Sequence, residues 1–124
     1  MKWVLLIDEH NLFRQMLALV LQRTTLLKQS IQVSSLSEAR QVLANSIHKP
    51  DLAIVDLDLP NGGSFLHLIR ELRMMVPDLP VVAITLRGGA ERREWALRAG
   101  ADEVISMAAT PKEIVEVAKR LIGE

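Results

Sequence analysis

The chain has no cysteine. It therefore forms no disulfide, holds no metal through thiolate and carries no cysteine nucleophile, which fits a reducing compartment. Aromatic residues make up only 3% of it, so the core has to be aliphatic, built from Leu, Val, Ile, Ala and Met. Neither sign of charge is in surplus, with 15 Lys and Arg against 15 Asp and Glu. Neutralising nucleic-acid phosphates takes a cationic excess, so direct nucleic-acid binding is not expected. Long hydrophobic runs are also missing. The opening run from Trp3 to Ile7 ends at Asp8, too short for a signal peptide or a membrane span. There is no internal repeat, low-complexity segment or Gly/Ser-rich linker. These absences leave one soluble, cytoplasmic domain over residues 1–124 as the expectation, with no membrane partner. At 49% apolar and 24% charged residues, the composition suits a packed core rather than a disordered chain.

What is present is a regular alternation. Short apolar runs at residues 3–7, 31–34, 52–56, 80–85 and 103–106 read as strands, the second and fifth of them short. Between them lie helical patterns. Leu12, Phe13, Met16, Leu17, Val20 and Leu21 recur at helical spacing over residues 11–23, and Val42, Leu43 and Ile47 mark the apolar positions of a second helix opening at Ser37. Phe65, Leu66, Leu68, Ile69 and Leu72 mark a third helix, with Met74 and Met75 as packing residues at its end. The fourth, residues 90–98, is rich in charge and has little to bury, leaving Trp95 either partly exposed or in the core. Gly100 stops it, as a residue free to take positive φ should. Thr110, Pro111 and Glu113 open the last helix as N-cap, N1 and N3, and Ile114, Val117, Ala118 and Leu121 form its inner face. Strict β/α alternation predicts a parallel sheet with helices on both faces, and ligands in such folds sit at the carboxyl ends of the strands.

Those ends carry Asp8 and Glu9 after the first strand, Asp56 with Asp58 at the third, and Thr85 at the fourth. Two like charges about 4 Å apart cost on the order of 4 kcal/mol at an effective dielectric of 20. An acid cluster persists if a divalent cation sits in it or if one carboxyl keeps its proton. Oxygen donors of this kind suit Mg2+. The bland reading, that strand-end acids are solvated or cap helices, holds well for one acid and poorly for this set. His10, His48 and His67 share no metal-ligand spacing; His10 reads as a helix-start residue beside carboxylates.

Four segments, in order, carry a resemblance: Ile7-Asp-Glu-His-Asn-Leu-Phe-Arg14, Pro50-Asp-Leu-Ala-Ile-Val-Asp-Leu-Asp-Leu-Pro60, Pro80-Val-Val-Ala-Ile-Thr85 and Ala99-Gly-Ala-Asp102. Along its whole length the chain resembles the receiver domain of two-component response regulators, and its first segment resembles the subfamily usually joined to a helix-turn-helix output domain. The resemblance implies a flavodoxin-like, doubly wound α/β fold with a five-stranded parallel sheet of order 2-1-3-4-5. It implies that Asp56 accepts a phosphoryl group from a histidine kinase or phosphotransfer protein. It implies Mg2+ held by Asp8, Glu9, Asp56 and the backbone carbonyl of Asp58, with Thr85 bonding the phosphoryl group. The implied role is signalling linked to transcription regulation, with self-phosphorylation as the only chemistry, and with homodimer faces on the first and last helices or around the fourth.

The sequence departs from the family pattern in its last third. Met107 stands where the family has a lysine, Ala108 where it has a proline, and Val104 where it has a switch aromatic; Ser64 replaces a glycine. A thioether cannot pair with phosphoryl oxygens, so Met107 weakens the coupling of site to domain. Arg87 and Asp58, two residues beyond Thr85 and Asp56, occupy positions that tune phosphoryl lifetime in the family; Arg87 either pairs with Asp58 or points into water. Two readings stay open: an altered receiver that still takes phosphate with Mg2+, and a phosphorylation-independent pseudo-receiver acting through protein interaction or dimerisation. A haloacid-dehalogenase-type phosphatase is a remote alternative, because Asp56-Leu-Asp58 is followed by Pro60 rather than threonine two residues on. A flavodoxin-type cofactor binder is remoter still, since the first loop has no phosphate cradle.

Overall fold

Three of the apolar runs are buried along their entire length: β1 (Trp3–Ile7), β3 (Leu52–Asp56) and β4 (Val81–Thr85). Burial on both faces is why these strands lack the polar alternation of a half-exposed sheet. In the computed structural model, which describes residues 2–24, 27, 29–57, 65–85, 90–106 and 108–123, they form the centre of one five-stranded parallel sheet. The edges are β2 (Gln29–Val33) and β5 (Glu103–Ser106), giving the order β2-β1-β3-β4-β5. The remaining elements are α1 (Asn11–Leu21), α2 (Leu36–Asn45), α3 (Phe65–Met75), α4 (Ala90–Ala99) and α5 (Pro111–Ile122). Residues 58–64, among them Asp58 and Ser64, and Arg87 and Met107 lie outside the described residues, and with them the Arg87–Asp58 pair.

The strand order decides which helix covers which face. From β1 to β2 the chain steps one way across the sheet; from β2 through β5 it steps the other way. Right-handed crossovers then place α1 on one face and α2, α3 and α4 on the opposite one. The core follows this division. Trp3, Leu5, Ile7, Ala53, Val55, Val81 and Ala83 pack with α2, α3 and α4 side chains including Leu43, Leu68, Ile69, Leu72 and Ala96. The alternate strand residues Val4, Leu6, Leu52, Ile54, Val82 and Ile84 pack with Leu17, Val20 and Leu21 of α1 and Ile114, Ala118 and Ile122 of α5. No described helix is long and apolar enough to cross a membrane.

Local signals set most boundaries. Ser35 caps α2 by accepting the Glu38 N–H at 3.2 Å, and Thr110 caps α5 by accepting that of Glu113 at 3.2 Å. Gly100 takes φ +121°, a conformation that admits glycine readily and other residues poorly. Several apolar positions go elsewhere than their pattern implied. Leu12 is 84% exposed: it precedes Leu17 by five residues, roughly 140° around the helix from the buried stripe. Ile47, 93% exposed, lies beyond the end of α2 at Asn45. Met74 and Met75 are exposed rather than packed, and Trp95 is exposed on α4, whose buried residues are only Ala96 and Ala99.

Away from the strand ends that carry the acids, one side chain ties two connections together. Arg73 donates to the carbonyls of Pro77, Leu79 and Gly100 and to the Asp102 carboxylate at 3.0 Å. The same Asp102 oxygen accepts the Val81 N–H at 2.8 Å. The guanidinium thus closes the α3–β4 loop onto the α4–β5 turn. Arg73→Ala is expected to lower stability by about 2–3 kcal/mol in urea unfolding, and Arg73→Lys to recover less than half of that, because an ammonium lacks the planar fork.

Candidate functional site

Strand register brings the first acids together. Ile7 of β1 lies beside Val55 of β3, so Asp8 and Asp56, the next residues, leave adjacent strand ends on the same side of the sheet. Asp56 in turn pairs with Ile84, one residue before Thr85. This is the place where the strand order reverses, because β1 and β3 have connections running to opposite faces, and such a switch point opens a crevice at the carboxyl ends. Asp8, Asp56 and Thr85 are all buried, with only 3%, 1% and 4% of their surfaces exposed.

The β1–α1 connection then folds back over the acids. The Asp8 carboxylate accepts the His10 N–H at 2.8 Å, the two-residue return of an Asx turn. His10 is the N-cap of α1, yet its side chain makes no cap bond. Its ring goes to the carboxylates instead: Nδ1 lies 3.0 Å from Asp8 Oδ1 and 3.3 Å from Asp56 Oδ2. One turn into α1, Arg14 donates to the Asp8 carbonyl, to Asn11 Oδ1 and, at 3.1 Å, to Gln32 Oε1. Arg14 thereby holds the Asp8 backbone against β2 and the helix start.

Among the described residues, the ligand atoms of Asp8, His10 and Asp56 lie within 4.8 Å of one another. Two buried carboxylates with converging oxygens fit a hard divalent cation, with water filling the open positions. Glu9 is exposed and does not belong to the converging set. The structure therefore brings together Asp8, Asp56 and Thr85, leaves Glu9 at the surface and adds His10. Sequence spacing carried the signal for His10 only as adjacency to the acids; that its ring spans both strands depends on the turn. Lys112 is exposed, as its N2 position in α5 implies, and Val104 is buried in β5.

The pair of acids acts on the histidine. The hydrogen bond to Asp8, reinforced by the charges of Asp8 and Asp56, raises the His10 pKa above its ordinary 6.5. In metal-free protein, the His10 ring resonances are expected to titrate above that value, and Asp8→Asn to bring the midpoint down. A histidine whose folded pKa exceeds its unfolded one adds stability that is full below pH 6.5 and fades as pH rises through the folded midpoint. Chemical denaturation in EDTA across that interval should show the decline, and His10→Asn should remove it.

Comparison with known proteins places this geometry in context. The family model described as response regulator receiver domain matches residues 4–119. The chain is 34% identical to the phosphate regulon transcriptional regulatory protein PhoB of Klebsiella pneumoniae over 116 residues, covering 90% of this chain and 48% of that protein. It is 34% identical to the virulence transcriptional regulatory protein PhoP of Salmonella typhimurium over 119 residues, covering 95% and 49%. The chain thus spans about half the length of the curated relatives it matches. Among solved structures, a response regulator from Thermotoga maritima superposes with a TM-score of 0.88 at 24% identity, covering 99% of this chain and 98% of that one. A response regulator protein from Burkholderia pseudomallei, described with a phosphorylated aspartic acid, a calcium ion and citrate, superposes with a TM-score of 0.81 at 26% identity, covering 99% and 69%.

Proposed function

The chain belongs to the response regulator receiver domain family of two-component signalling, and on that premise we propose that Asp56 is its phosphoacceptor, working with Mg2+. The observation that carries this reading is the burial of Asp56 at a strand end beside Asp8 and Thr85. A carboxylate so placed is fixed in direction and stripped of bulk water. One Asp56 oxygen attacks phosphorus in line, its new O–P bond replacing the bond to the phosphohistidine nitrogen of a kinase or phosphotransfer partner. When bound, Mg2+ neutralises the phosphoryl oxygens. Asp8 and Asp56 would hold that cation, with Glu9 and the Asp58 carbonyl joining them as the family pattern assigns. Thr85 gives its hydroxyl to a phosphoryl oxygen. The Burkholderia pseudomallei protein described with a phosphorylated aspartic acid and a calcium ion supports both halves of the reading.

Coupling is where this receiver differs. Met107 supplies no ammonium to the phosphoryl group, so Arg87 is the loop cation we assign to modulate it. Val104 is buried, and a β-branched aliphatic side chain has no large ring to swing between an outward and an inward position. This observation favours a second reading, a pseudo-receiver whose binding or self-association does not depend on phosphate. Under the first reading, residues 1–124 form a cytoplasmic receiver unit that controls a transcriptional output, as the names of PhoB and PhoP indicate for those relatives.

Intact mass after incubation with Mg2+ and a small phosphodonor tests the proposal. One phosphoryl adduct is expected on the parent and none on Asp56→Asn, with Asp8→Asn slowed by about tenfold or more. No adduct on the parent, where an ordinary receiver is modified alongside, overturns it in favour of the pseudo-receiver. Met107→Lys is expected to enlarge the phosphorylation-dependent change in amide exchange across α4 and β5, which should be small in the parent.

A further inference from the structure

We propose that His10 is a protein ligand of the cation at this site, and that its imidazole turns the preference of the site from Mg2+ toward borderline transition-metal ions such as Ni2+, Co2+ and Zn2+. The inference rests on the reading that Asp8 and Asp56 hold a divalent cation.

Spacing is the first argument. His10 Nδ1 stands 3.0 Å from Asp8 Oδ1 and 3.3 Å from Asp56 Oδ2. Two ligands bound at about 2.1 Å to one ion are separated by roughly 3.0 Å at an octahedral angle and roughly 3.4 Å at a tetrahedral one. Both distances from the His10 nitrogen match those of ligands sharing one ion, and the three ligand atoms all lie within 4.8 Å of one another. Preorganisation is the second. The His10 N–H is bonded to the Asp8 carboxylate at 2.8 Å, and Arg14 grips the Asp8 carbonyl, so the β1–α1 turn positions nitrogen and oxygen donors as one unit. Donor chemistry is the third. The converging set is Asp8, His10 and Asp56, while Glu9 is exposed. An acid pair of oxygen donors becomes an O, N, O set. Mg2+ takes oxygen and gives up water reluctantly; Ni2+, Co2+ and Zn2+ gain from imidazole. Positions beyond these three ligands remain for water or a phosphoryl oxygen.

The chain has three histidines, so the test uses the full chain with His48→Asn and His67→Asn, leaving His10 as its single imidazole. Calorimetric titration with Ni2+ and with Mg2+ should show Ni2+ binding at least about a hundredfold tighter. His10→Ala should weaken Ni2+ by about tenfold or more while leaving Mg2+ within about threefold. Equal change for both ions, or change for neither, overturns the proposal. Pulsed electron paramagnetic resonance of bound Mn2+ reads the ligand directly and needs no His10 substitution. Imidazole nitrogen coupling supports the assignment, and its absence overturns it. Asp56→Asn separates the underlying reading. If it leaves both cations bound as before, the carboxylate site itself is wrong. If it weakens both while His10→Ala discriminates between neither, only the role of His10 fails.

Discussion

Asp8 and Asp56 sit side by side because β1 and β3 are parallel neighbours in register, Ile7 against Val55, and both carboxylates are buried. That placement is unfavourable in itself. Like charges at about 4 Å repel by on the order of 4 kcal/mol even at an effective dielectric of 20. The rest of the upper edge of the sheet answers to it. The β1–α1 turn folds back so that the His10 N–H and ring face the acids, and Arg14 brings a guanidinium to the Asp8 carbonyl. A site that holds negative charge in reserve is one that a cation can enter with gain.

The fold supplies the rigidity that keeps those charges in place. Three central strands are buried on both faces, and the two aliphatic layers divide strictly by residue parity. Shifting β1 by one residue against β3 would exchange the layers and turn Asp8 to the opposite face, so the packing that stabilises the sheet also fixes the acid pair. At the other end, Arg73 and Asp102 fasten the α3–β4 loop to the α4–β5 turn. Between these two well-tied ends lies α4, which buries only Ala96 and Ala99 and leaves Trp95 exposed. A helix that buries two alanines and is otherwise tied by Arg92 to the Leu57 carbonyl and Arg93 to the Val104 carbonyl has little apolar packing to lose, and a low-cost displacement is readily accommodated there.

Receiver function needs a site and a means of reporting its state, and under the proposed reading the two are unevenly kept in this chain. The acid pair and Thr85 are buried at neighbouring strand ends. Met107 stands at the position we assign to the family lysine, and Val104, at the position we assign to the switch aromatic, is packed into the core. Under the proposed reading, chemistry at Asp56 and transmission from it are separable: the first would use oxygen donors that are present, the second a charge and a ring that the assigned positions do not supply.

Much of this was legible in the sequence. The β/α alternation, the apolar central strands, the Thr110-Pro111 helix start and the glycine stop at Gly100 are local features, written in periodicity and in single-residue conformational preference. The position of Asp8, Asp56 and Thr85 at strand ends followed from the same reading, because a strand's last apolar residue marks where its carboxyl end emerges. The outward turns of Leu12, Ile47 and Met74 were not legible, since helical phase and helix ends are settled by what the neighbouring layers leave room for. Nor was the placement of the His10 ring. Its sequence position says only that it follows two acids; its approach to Asp56, 46 residues along the chain, exists because the sheet sets β1 beside β3 and the Asp8 turn aims the ring across that gap. The sequence by itself determined the elements and the chemistry available at their ends. Only the tertiary structure decided which of those groups converge, because convergence depends on strand order and register, which no local stretch of chain contains.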